Sequence, residues 1–141
     1  MSTNSSIAVC LADGSVVSVY CHFDGFIHHN GRLLLEYWNS QELAESLVSL
    51  GNISILGERL DPIGKHTFNT PEKGTCLFYG RDRKDVIGVN ANIWKSLIDY
   101  FENCYFREYN YLFVNGNWLV SSELKFGDNY LRVLSVTYKG K

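Results

Sequence analysis

The regular alternation of apolar and polar residues is clearest at the start of the chain. Two apolar-rich runs, 7–11 and 16–23, flank Ala12-Asp13-Gly14-Ser15. Asp-Gly supplies the positive φ that a tight turn needs, so the pattern predicts a β-hairpin. In its second arm Val17, Val19, Cys21 and Phe23 alternate with Val16, Ser18, Tyr20 and His22. Successive strand residues point to opposite faces. Assigning the valine set to the core puts Tyr20 and His22 together on the other face, with Asp24-Gly25 closing the strand.

The period then lengthens. Residues 32–38 read as a helix, and Asn39 as the N-cap of a second helix over 40–50. Glu42 follows at nearly the capping-box spacing. Leu43, Ala44, Leu47 and Leu50 make its apolar stripe, and Gly51 stops it. Residues 52–75 carry Gly57, Pro62, Gly64, Pro71 and Gly74 and lack periodicity, the mark of a long loop and often of a functional one. A short strand over 75–79 and a charged stretch over 80–85 come next. Asn92 then caps a third helix over 93–101, with Ile93, Trp94, Leu97, Ile98 and Phe101 facing the core. Asn115-Gly116 between 109–114 and 117–121 is the strongest hairpin signal in the chain. A last strand covers 130–138, and residues 1–5 form a frayed terminus. Hairpins dominate and no βαβ unit is visible. The prediction is one α+β domain over residues 1–141, with a mainly antiparallel sheet built from hairpins and about three helices packed on one face.

Composition narrows the class. A chain of 141 residues with 45% hydrophobic and 20% charged side chains can bury a core without metal or disulfides, so disorder is excluded. Nine Tyr, eight Phe and three Trp suit strands and also leave a binding face open. A net charge of -2 shows neither the basic excess of a duplex-DNA binder nor the acidic excess of a DNA mimic. The polar N-terminus does not read as a secretory signal, and no apolar run reaches the roughly 18 residues of a membrane span. The four cysteines lack C-x-x-C spacing and read as reduced, small buried hydrophobes of a cytoplasmic protein.

The densest chemistry lies in Tyr20-Cys21-His22-Phe23-Asp24-Gly25-Phe26, with His28 and His29 following at once. Cys21, His22, Asp24, His28 and His29 are metal-ligand types. Cys21 and His22 point to opposite faces, while the same alternation puts His22 and Asp24 on one face, and no metal or cofactor is assigned. A catalytic cysteine needs a base brought from elsewhere in the fold, so no catalytic residue is assigned either. His22 and Asp24 could converge with Arg81 and Arg83 on a phosphate, histidine moving a proton and arginine gripping oxygens. They could equally fix a turn. Tyr20, Tyr37, Trp38, Tyr79 and Arg81 are the residue types that anchor protein interfaces, while Trp94 and Trp118 are assigned to the core.

Several motifs together resemble a family of small uncharacterised phage and bacterial proteins. They are the Tyr20–Phe26 run, Gly31-Arg32-Leu33-Leu34-Leu35, the Leu50–Gly57 segment with Ser54 and Leu56, Tyr79-Gly80-Arg81-Asp82, and the turn leading to Trp118. The likeness is dense over about 18–61 and sparse beyond. The loop after Gly25, where the family carries proline, reads Phe26-Ile27-His28-His29-Asn30 here. The resemblance implies no settled activity; taken with the weakness of every catalytic signal, it points to a small phage-type binding protein of the host cytoplasm, an inhibitor that serves host takeover or anti-defence by direct contact with a host or defence-system protein. The contact residues would be Tyr20, His22, Asp24, His28, Tyr79, Arg81 and Arg83. The alternative is a nucleotide or phosphate-ligand protein using His22, Asp24, Arg81 and Arg83.

Overall fold

A computed structural model describes residues 2–105, 107–122 and 131–139. The two hairpins form where their turns require. Strand β1 (Ser5–Cys10) pairs antiparallel with β2 (Val16–Cys21), in the register Ile7 to Val19 and Val9 to Val17. Asp13 caps their turn by accepting from the Ser15 N–H at 2.9 Å and the Ser15 hydroxyl at 2.6 Å. The second hairpin joins β6 (Tyr109–Val114) to β7 (Asn117–Ser122) through Asn115 and Gly116, at φ 52° and 80°. Positive φ at both positions is the turn geometry that matches strand twist.

One mixed sheet holds all eight described strands. Its order is β4 (Leu77–Phe78), β3 (Ile53–Ile55), β2, β1, β6, β7, β8 (Arg132–Val133), and β5 (Asn92–Trp94) pairs with the other end of β2. The β1–β6 and β2–β3 contacts are parallel and the other pairings antiparallel. The sheet is thus more mixed than hairpins alone predict, because β1 takes a parallel neighbour from the far half of the chain.

Both faces of the sheet are covered. On one face Ile7, Val9, Val19 and Cys21 pack with Leu33 and Leu34 of α1 (Arg32–Tyr37), with Ala44 and Leu47 of α2 (Gln41–Val48), and with Leu134 of α5 (Leu134–Lys139). Two buried indoles tie this layer together. Trp38 donates to the Gly57 carbonyl at 2.9 Å, and Trp118 to the Trp38 carbonyl at 3.1 Å. On the other face Ala8, Val16 and Leu112 sit beneath Tyr100 of α4 (Leu97–Asn103). Helices therefore lie on both sides rather than one. With α3 (Tyr79–Arg83), five α-helices occur among the described residues.

Several local expectations are corrected. Ser40, not Asn39, caps α2, accepting from the Leu43 N–H at 3.1 Å, and Val48 replaces the exposed Leu43 and Leu50 in the buried stripe. Residues 92–94 form strand β5 instead of opening a helix. The open flank of β2 accepts them as Val16 to Trp94, Val17 to Ile93 and Ser18 to Asn92. The helix begins after Ser96, whose hydroxyl accepts from the Asp99 N–H at 3.1 Å, and Ile93 and Ile98 are left 76% and 68% exposed. The predicted last strand shrinks to β8 followed by α5, and Tyr130 lies outside the described residues. The N-terminus is tied down by residue 3, because Gly25 donates to the Thr3 carbonyl at 2.8 Å and Ser5 is buried. Met1 lies outside the described residues.

Candidate binding surface

The end of β2 is a hydrogen-bonded knot. Beyond Cys21 the chain continues along β3, with His22 and Phe23 donating to the carbonyls of Ile53 and Ser54 at 3.0 and 3.1 Å. It then turns sharply. Asp24 takes φ 59°, a left-handed conformation that Asp tolerates better than most residues. Gly25 follows because a Cβ there would stand 2.7 Å from the Asn4 carbonyl oxygen. Its own carbonyl accepts from the buried Tyr111 hydroxyl at 2.6 Å. A π-helical turn, Ile27–Gly31, leads into α1. Inside it the buried Asn30 amide donates to the Phe23 carbonyl at 3.2 Å and to Cys21 Sγ at 3.4 Å.

This knot divides the motif into two kinds of residue. Cys21, Gly25, Ile27 and Asn30 are buried and hold the turn. Burial pushes the Cys21 thiol up to about 12, so it stays protonated and un-nucleophilic near neutrality. Burial likewise pushes Cys76 up to about 11. The outward set is Phe23 and Phe26, each 40% exposed, with His22, Asp24, His28 and His29. The His22 ring meets Phe23 edge-on at 4.5 Å between centroids, and His29 lies 5.9 Å from Phe26. His28 stacks on Tyr138 of α5 at 4.8 Å.

Tyr20 and His22 do share a face, with the phenol oxygen 2.6 Å from His22 Nδ1. His22 and Asp24 take different partners. The strand ends at Cys21, so the two-residue alternation does not reach Asp24, whose carboxylate turns toward His29 Nε2 at 3.9 Å. Asp24 and His29 line a cleft of about 280 Å³ that also involves Arg32, Glu58 and Glu72. Tyr20 instead lines a separate groove of about 510 Å³.

Arg81 does not offer a free phosphate grip. Its guanidinium donates to the Leu60 carbonyl at 2.7 Å, the Cys76 carbonyl at 2.9 Å and Asp82 Oδ1 at 2.9 Å, and it covers the Phe78 ring. It acts as a clamp between the long loop and α3. Arg83 is held by Asp85 through two nitrogens and lies over both Phe68 and Tyr79. Tyr79 is thus occupied by Arg83.

Two features escaped the sequence reading. His66 is buried against Asp82 within the long loop. Arg107 lies over the Tyr20 ring at 4.5 Å and near Tyr105 at 5.7 Å. Nothing in the spacing around either residue signals its contact, because the partners come from distant segments. Among the described residues, no three His, Cys, Asp or Glu side chains come together as a metal site would need. No helix among them is long and apolar enough to cross a membrane.

No family model matches the chain, and no curated protein or solved structure matches it significantly.

Proposed function

We propose that this chain is a binding protein that docks a partner protein on the outward half of its β2 knot. The observation that carries the reading is the pair Phe23 and Phe26. Both rings stand 40% exposed on a turn whose backbone is fixed by buried hydrogen bonds. Packing does not require aromatics there, and a rigid turn that presents aromatic and imidazole groups loses little entropy on binding. Asp24 adds a charge at the edge of the patch, and His22 and His29 extend its rings. The likeness to small phage and bacterial proteins supports a host or defence-system protein as the partner, with inhibition or modulation as the outcome and the cytoplasm as the setting.

The test is co-purification of tagged protein from host lysate, followed by titration with the identified and purified partner. Phe23→Ser, Phe26→Ser and Asp24→Asn are the variants. Asn tolerates the left-handed backbone at position 24, whereas alanine would strain it. Wild type should retain one partner that the two Phe variants lose, with melting temperatures unchanged. Equal retention by folded Phe variants would place the contact elsewhere and defeat the proposal.

A further inference from the structure

A second groove, on the Ser18 and Tyr20 face of β2, belongs to none of the functions argued above. It measures about 510 Å³, within the range of small-ligand pockets. Ser18 and Tyr20 lie on its floor, Asn92 and Trp94 on one side and Tyr105 and Arg107 on the other. Its chemistry is unusual for this chain. The whole protein is net acidic, yet among the described residues no carboxylate lines the groove, and Arg107 is the one charged residue there.

Arg107 is the anomaly that gives the groove a purpose. The guanidinium makes no ion pair and no side-chain hydrogen bond among the described residues, and it is held only by the rings of Tyr20 and Tyr105. Stacking on an aromatic face fixes the plane of the fork while leaving its N–H groups free for an oxyanion. Arg32, Arg59, Arg81 and Arg83 by contrast all have acceptors inside the fold.

The remaining lining suits a flat, hydrogen-bonding ring. Among the described residues Asn90 and Asn92 make no side-chain hydrogen bond, so each amide presents a donor and an acceptor side by side, the pattern that reads a nucleobase edge. The half-buried Trp94 and the largely exposed Tyr105 supply ring faces for stacking. Trp94 is locked in place by its indole N–H, which donates to the Ser18 hydroxyl at 2.9 Å. Asn52 is used structurally, accepting from the Tyr20 N–H at 3.0 Å and donating to the Gly88 carbonyl at 3.3 Å, which ties the floor to one wall.

We propose that this groove binds a nucleoside monophosphate, with Arg107 on the phosphate, Asn90 and Asn92 on the base edge, and Trp94 or Tyr105 against the base plane. Neither Phe23 nor Phe26 lines the groove, and the proposal does not depend on their role, although Tyr20 of the floor meets His22 at the patch's edge.

The test is isothermal titration of the purified chain with each ribonucleoside 5′-monophosphate, each parent nucleoside and inorganic phosphate. At least one monophosphate should bind, about tenfold or more tighter than its nucleoside. Arg107→Gln should erase that difference and leave the residual affinity close to the nucleoside's, and Asn92→Ala should weaken binding and change the preference among bases. Circular dichroism checks that both variants fold, and Phe23→Ser, outside the groove, should bind as wild type. Absence of binding by every monophosphate overturns the proposal. So does binding that a folded Arg107→Gln leaves unchanged, or inorganic phosphate binding as tightly as the nucleotides.

Discussion

His66 and Asp82 meet in the interior of the long loop, with Nε2 3.3 Å from Oδ2 and the imidazole only 1% exposed. The Glu72 N–H donates to His66 Nδ1 at 2.9 Å. In a neutral ring this acceptor role leaves the proton on Nε2, which stands beside the carboxylate at ion-pair distance without a hydrogen bond to it. Asp82 also accepts from the Phe78 N–H at 2.8 Å and from Arg81. The loop over 56–76 is therefore closed by a buried polar network that joins it to α3. Replacing His66 by alanine should cost about 2 to 4 kcal/mol, because a cavity opens and the Glu72 N–H loses its acceptor. Asp82→Asn should cost a similar amount. Urea denaturation of both single variants and the double variant measures this, and a double variant close to either single one confirms that the two residues act as a unit.

Acid should loosen the same loop. Hydrogen bonds from the Thr75 hydroxyl and from the N–H groups of Ile63 and Gly64, aided by Arg59, hold the Glu72 carboxyl down at about 2, well below 4.5. For Asp82, burial pushes upward, but the Arg81 and Phe78 hydrogen bonds and the Arg81 charge outweigh it and leave the carboxyl below 3.8. A depressed folded-state value means the unfolded chain binds the proton first. The stabilisation is complete above the unfolded values and is lost as pH falls through the folded ones. Melting temperature should thus hold down to about pH 5 and then fall steadily toward pH 2. Glu72→Gln should flatten that fall, and an unchanged slope would remove Glu72 from the account.

The start of α2 gives a sharper comparison. Ser40→Ala removes the hydroxyl that accepts from Leu43 and should cost about 1 kcal/mol, while Asn39→Ala should leave stability within about 0.5 kcal/mol. Chemical denaturation of the two variants side by side decides which residue is the cap.

Gly51 and Gly116 both have positive φ, at 84° and 80°, but they differ in surroundings. A Cβ at Gly51 would lie 2.3 Å from the Val89 carbonyl oxygen, whereas nothing stands within 4 Å of one at Gly116. Gly116→Ala should therefore show only the backbone cost of about 1 to 2 kcal/mol. Gly51→Ala should exceed it clearly, because the 89–90 segment must move. Equal losses in thermal melts would show that the Val89 contact relaxes freely.

The parts of the fold legible in the sequence are those with local chemistry. Asp13-Gly14 and Asn115-Gly116 specify their hairpins within a few residues, and Gly51 marks the end of α2 by its conformation. Residues 92–98 misled because Asn92, Ile93, Trp94, Leu97 and Ile98 fit a helical stripe. What makes 92–94 a strand is the vacant flank of β2, a partner more than seventy residues earlier that no local pattern reveals. At the surface, two-residue alternation correctly placed Tyr20 beside His22. It failed for Asp24 because the chain leaves the strand at Cys21. Arg81 looked like a ligand because its acceptors are backbone carbonyls, which carry no sequence signature. Arg107 escaped notice because its importance lies in lacking an acceptor, and only the assembled fold displays that.

The parallel seam between β1 and β6 joins residues 5–9 to residues 109–113. During synthesis β1 therefore waits, one side bare, until the ribosome has delivered β6. Closing so wide a loop is slow. A nascent chain halted before residue 109 would present β1 and its hydrophobic neighbours to chaperones or to other copies, so the arrival of β6 sets when β1 becomes safe.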